Sequence, residues 1–260
     1  MTESPHSELI ATLTELYDLL DALGVVSHCS PLFPPHANIN VEAARAVGYA
    51  PETVRLMCDL PYLEVKLYDR SLELLPNTYP VSYLSAVDEG SFEALREMLH
   101  DEMMPPTALR LTYGELGQGT EYIYDTDTTL IYAWCPAENP DEVDDYYHVQ
   151  GQPPRQALSK LINDNRTLKY IVTPHGTDFN HDFFSKSGGQ PPSGGNWSIT
   201  DQDHWRAQYK AWKATRKIKN IYLDFGWNVD TVDQALFKRE EFVIARDWYW
   251  KEVVEPLLNI

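Results

Sequence analysis

Within eight residues the segment HGTDFNHD gathers His175, Asp178, His181 and Asp182. Imidazole and carboxylate are donor types that suit zinc or iron. On a helix His175, Asp178 and Asp182 would share a face, whereas Pro174 and Gly176 point to a loop. A metal site and a solvated polar loop are thus the two readings of this stretch. Asp141, Glu142, Asp144 and Asp145 have the carboxylate density to hold magnesium or calcium, but not the EF-hand spacing. The alternative there is an exposed acidic loop. GELGQG at 114–119 is spaced GxxGxG rather than GxGxxG, and no helical pattern follows it. A strand-to-strand loop is expected, not a phosphate cradle. Cys29, Cys58 and Cys135 are odd in number and form no CxxC pair, so free thiols are expected. No GxSxG elbow marks a nucleophile.

A different chemistry is written on the segment 202–219. Arg206, Lys210, Lys213 and Lys217 follow i, i+4, i+7, i+11 and form a basic stripe along a helix. Trp205, Tyr209, Trp212 and Arg216 form an adjacent, mainly aromatic stripe. The spacing predicts the aromatics packed inward and the cations outward. Three uses of the cations remain open: docking on the chain's own acidic surface, plain solvation, or binding an acidic partner or phosphorylated ligand.

The elements that position these residues follow from periodicity. Leucines 9, 13, 16, 19, 20 and 23 predict a helix over 7–24. Asn40 is expected to cap VEAARAV, and Pro51 to open a third short helix ending before Pro61. Residues 64–84 read as irregular and extended. SFEALREMLH reads as a helix over 91–100 capped by Ser91. EYIY and TLIYAW, joined at Asp125–Thr128, predict a β-hairpin over 121–134. PRQALSKLINDN reads as a helix and LKYIVTP as a short strand. The fold class is α+β: an antiparallel sheet with this hairpin, flanked by helices, with helical N-terminal and C-terminal extensions. The organisation expected is an α+β body over 1–184, a Gly/Pro/Ser linker over 185–196, and a tryptophan-rich helical tail over 197–260 packed on the body.

Composition narrows the function class. Of 260 residues 21 are Lys or Arg and 39 Asp or Glu, a net charge of −18 that argues against nucleic-acid partners and anionic membranes. No apolar run is long enough to span a membrane, and the acidic N-terminus does not read as a signal peptide. A cytoplasmic location is expected.

The run MPPTALRLTYG, then GTEYIYDTDTTLIYAW, then an acidic loop with Tyr146-Tyr147, then PRQALSKLI resembles the SUKH superfamily over about 76–170. That is the fold of bacterial toxin-immunity proteins and fungal cell-wall-synthesis regulators. The matching positions are Gly114 or Gly119, Asp125 or Asp127, and Trp134; Tyr113-Gly114 stands where the family carries Asn-Gly. PPH at 34–36, LPYL at 60–63 and FGW at 225–227 are similar to a set of filamentous-fungal proteins, which implies a fungal source. The resemblance implies a non-enzymatic module without cofactor that binds a protein partner. The partner surface expected is Asp125, Asp127, Trp134, Tyr146 and Tyr147, together with Arg206, Lys210 and Lys213. The alternative is an enzyme or accessory protein of fungal secondary metabolism. It would hold a small apolar ligand in an aromatic pocket, with a divalent metal at His175–Asp182 or the 141–145 acids.

Overall fold

The computed structural model describes residues 4–25, 29–67, 69–98, 103–115, 118–136, 146–178, 184, 199–231 and 234–258. The expected 185–196 linker and the 141–145 acids lie outside them. The fold is α+β, and the chain divides into two units: residues 1–21 with 27–162, and residues 22–26 with 163–260. The division between them falls after Ile162.

In the first unit, α1 (Ser7–Ala22) buries Leu9, Leu13, Leu16, Tyr17 and Leu20, as the leucine spacing requires. α2 (Val41–Ala46) starts where Asn40 Oδ1 accepts the Ala43 N–H at 3.1 Å. α3 (Pro51–Asp59) starts on Pro51 itself. α4 (Glu89–Arg96) begins earlier than expected and is capped by Asp88 rather than Ser91. The Asp88 carboxylate accepts the Ser91 N–H at 2.8 Å and the Ser91 hydroxyl at 2.6 Å, so one acid upstream satisfies the first turn. These two bonds hold its carboxyl below the usual carboxylate range. The helix stops at Arg96, whose buried guanidinium donates to Val47 O and Met104 O.

The strands β1 (Pro31–Leu32) and β2 (Tyr62–Leu63) pair antiparallel. β3 (Thr78–Pro80) forms inside the stretch expected to be irregular. It pairs with β5 (Thr112–Gly114) in a two-stranded sheet, so Pro80 sits in an edge strand where its missing N–H costs no ladder bond. β4 (Ala108–Arg110) joins the hairpin of β6 (Glu121–Asp125) and β7 (Leu130–Trp134) in the order β4-β6-β7. Both faces of this hairpin carry buried side chains, with Ala133 exposed. On one face Tyr122 sits among Leu13 and Leu16 of α1 and Leu158 and Leu161 of α5 (Pro154–Arg166). There the buried His6 and Tyr124 also meet, Nδ1 to hydroxyl, at 2.8 Å. On the other face Ile123, Tyr132 and Trp134 form a core with Met104, Ala108 and Tyr146.

The second unit takes the end of α5, then the hairpin of β8 (Ile171–Thr173) and β9 (Gly176–Asp178). The helices α6 (Ile199–Thr215), α7 (Ile218–Asp224) and α8 (Arg239–Tyr249) follow. A π-helical turn over Trp250–Val254 then leads into α9 (Glu255–Leu258). Tyr222, Trp227, Phe237 and Phe242 make its aromatic core, with the Tyr222 and Phe242 rings 3.9 Å apart. Buried hydroxyl and guanidinium groups tie residues 22–26 into it: Tyr222 donates to Leu23 O at 2.7 Å and Arg246 to Gly24 O at 2.7 Å.

Candidate functional site

α6 carries the most chemistry on one element. Its aromatic side turns inward: Trp205 is buried, Tyr209 and Trp212 are half-buried, and all three rings pack on Phe184 at centroid distances of 5.2, 6.0 and 5.6 Å. Arg206, Lys210, Lys213 and Lys217 are exposed, as the spacing predicts. The helix is shorter than 202–219 implies: it ends at Thr215, and Lys217 lies in the turn before α7. Arg216, on the aromatic stripe, bends back to donate to Lys169 O at 2.8 Å and Leu168 O at 3.1 Å. Burial lowers its pKa, and the negative charge of Asp178 opposes that shift. Among the exposed cations, Arg206 pairs with Asp203 at 2.8 Å and the Lys213 ammonium lies 5.6 Å from the Tyr209 ring centre. Lys210 and Lys217 form no ion pair with a described residue.

The inner side of α6 also forms one wall of a cleft of about 370 Å³ within the second unit. The β8–β9 hairpin supplies Thr173, His175, Thr177 and Asp178. α6 supplies Gln208, Trp212 and Thr215, and Trp250 closes the cleft from the π-helical turn. The His175 ring meets the Trp250 ring edge-on at 5.5 Å.

His175 sits in the two-residue turn Pro174-His175, as Pro174 implies, whereas Asp178 ends a strand, β9, paired with Ile171. His181 and Asp182 lie outside the described residues. Among the described residues no group of three His, Cys, Asp or Glu side chains is placed to hold a metal ion.

The partner surface expected from the hairpin is corrected. Asp125 is buried because its carboxylate organises the turn, accepting the N–H of Asp127 at 2.8 Å. Trp134 and Tyr146 are buried in the core below the sheet, with the Tyr146 ring edge-on to Tyr132 at 5.3 Å. A buried side chain offers no surface to a partner. Asp127 is exposed at the turn. The backbone of Tyr147 belongs to a single 3₁₀ turn over Tyr146–His148. Sequence reasoning missed Trp250, Thr177 and Gln208. They lie on three separated segments, and the only signal was the aromatic run Trp248-Tyr249-Trp250.

No helix among the described residues is long and apolar enough to cross a membrane. No family model matches the chain, and neither a curated protein nor a solved structure does.

Proposed function

We propose that the protein is a SUKH-like binding module that docks an acidic protein partner on the outward ridge of α6. The observation that carries this reading is the separation of the two faces of that helix. Its aromatics face the inside of the second unit, so the cations are left as the surface it presents outward. Residues 205–219 hold six Lys or Arg and no Asp or Glu, within a chain of net charge −18. A local positive ridge steers a partner of complementary, negative charge, while the net charge of −18 keeps copies of the chain itself apart.

The test places a photo-crosslinking residue at Lys210 and, as a control, at Ile244 on the exposed side of α8. A discrete adduct from position 210 is expected, with an acidic peptide at the crosslinked end. Lys213→Glu should abolish it, and rising salt should weaken it within the range where the Debye length falls below about 8 Å. Equal crosslinking from both positions, or an adduct insensitive to Lys213→Glu, would overturn the assignment.

A further inference from the structure

Charge and lining chemistry restrict what the cleft beside α6 can accept. An anion meets the Asp178 carboxylate, and Arg216 does not welcome it, because its guanidinium donors are turned to the carbonyls of Leu168 and Lys169. A cation meets a second positive charge, because the Arg216 guanidinium is held on Lys169 O, two residues from Ile171, the strand partner of Asp178. A wholly apolar molecule would cover the Thr177 hydroxyl and the exposed Gln208 amide without offering them a hydrogen bond. What remains is a neutral molecule with one apolar face and several hydroxyls.

We propose that the cleft binds a neutral polyhydroxylated ring of the pyranoside class, its C–H face on the Trp212 or Trp250 indole and its hydroxyls on Asp178, Thr177 and Gln208. The volume of about 370 Å³ lies in the range of small-molecule sites, roughly 300–1,000 Å³. Both indoles are held before any ligand arrives. Trp212 stacks on Tyr209 at 5.6 Å and leans on Phe184. Trp250 stands where the backbone widens into a π-helical turn, a device that re-aims a side chain, and His175 packs against its edge. Preformed aromatic walls lower the ordering cost of binding. A carboxylate is a strong acceptor for hydroxyls, so Asp178 anchors the ring while the indoles select its apolar face. This site is independent of the outward cations of α6.

The test is a titration of the full, ¹⁵N-labelled chain followed by its indole N–H resonances. Seven tryptophans give seven signals, and those of Trp212 and Trp250 are assigned by Trp→Phe replacement. The probes are methyl β-D-glucopyranoside, tetramethylammonium and benzene. The glucoside is expected to shift the Trp212 and Trp250 signals saturably. Asp178→Asn should weaken that binding by about tenfold, in line with loss of a charge-assisted hydrogen bond. Trp250→Ala should abolish it, and Trp250→Phe should retain part of it with an unchanged amide spectrum. Shifts caused by tetramethylammonium or benzene but not by the glucoside would overturn the proposal. So would glucoside shifts spread over the other tryptophans, or none at all.

Discussion

Gly119 is a glycine because two backbones crowd its Cα. A Cβ there would lie 1.9 Å from Asn77 O and 2.7 Å from the Gly114 Cα. The same Asn77 carbonyl accepts the Glu115 N–H at 2.9 Å, and Thr120 N–H reaches the Thr78 hydroxyl at 2.8 Å, so the carbonyl cannot move without opening the β3–β5 edge. Gly114 and Gly119 thus serve a close approach of chains rather than a phosphate loop. Gly119→Ala is expected to destabilise the protein by about 3 kcal/mol in urea melts, the upper end of overpacking costs. Gly90, in the first turn of α4, gives the opposite case: its added Cβ would meet nothing nearer than 3.8 Å. Gly90→Ala should stabilise by about 0.5–1 kcal/mol, through the entropy of the unfolded chain. If both variants melted like the wild type, the crowding at Gly119 would be relieved by loop movement and the argument would fail.

At the scale of elements, α6 shows what a helical period can and cannot tell. Cations and aromatics at 3.6-residue spacing made the inward and outward faces readable, and both are seen. The depth of each aromatic was not readable, because it depends on what lies opposite. Trp205 is 6% exposed and Trp212 only half-buried. Trp205→Ala should therefore cost about 3–5 kcal/mol, Trp212→Ala less, and Lys210→Ala under about 0.5 kcal/mol. Urea melts of the three variants check the order; a larger loss for Trp212 than for Trp205 would invert the burial. The same logic explains the other elements. α1 and the 121–134 hairpin carry long periodic patterns and were legible. β3 and β9 have three residues each, too few for any period, and Pro80 and Pro174 masked them, whereas LKYIVTP was readable as the strand that β8 forms. The start of α4 was misread because Ser91 and Asp88 are both good capping types, and only geometry chooses between them. The cleft was illegible for a simpler reason: its walls come from residues 173–178, 208–215 and 250, joined only by folding.

At the scale of the whole molecule, both units are built around buried phenols, and this fixes how the protein responds to alkali. Burial pushes Tyr83 up to about 12, and it raises Tyr17, Tyr49 and Tyr62 in the first unit and Tyr222 in the second. In the unfolded chain these phenols ionise near pH 10, roughly their ordinary value. Below that pH both states hold the protons and the stability from the buried phenols is fully present. As pH rises past it, the unfolded chain releases protons that the folded protein still holds, so stability falls and keeps falling toward pH 12, where Tyr83 itself ionises in the folded state. The net charge of −18 sharpens the effect, since each new phenolate adds to an already negative molecule. Alkaline titration is expected to show the buried tyrosines ionising in one step, above their ordinary value and together with loss of helix. Tyr222→Phe should remove one proton from the pH dependence. It should also cost about 1 kcal/mol at neutral pH, because the Leu23 carbonyl loses the donor 2.7 Å away. Were every tyrosine to ionise near pH 10 while the far-ultraviolet spectrum stayed native, the phenols would be reachable by water in the folded chain, and their burial would not be what holds the two cores closed.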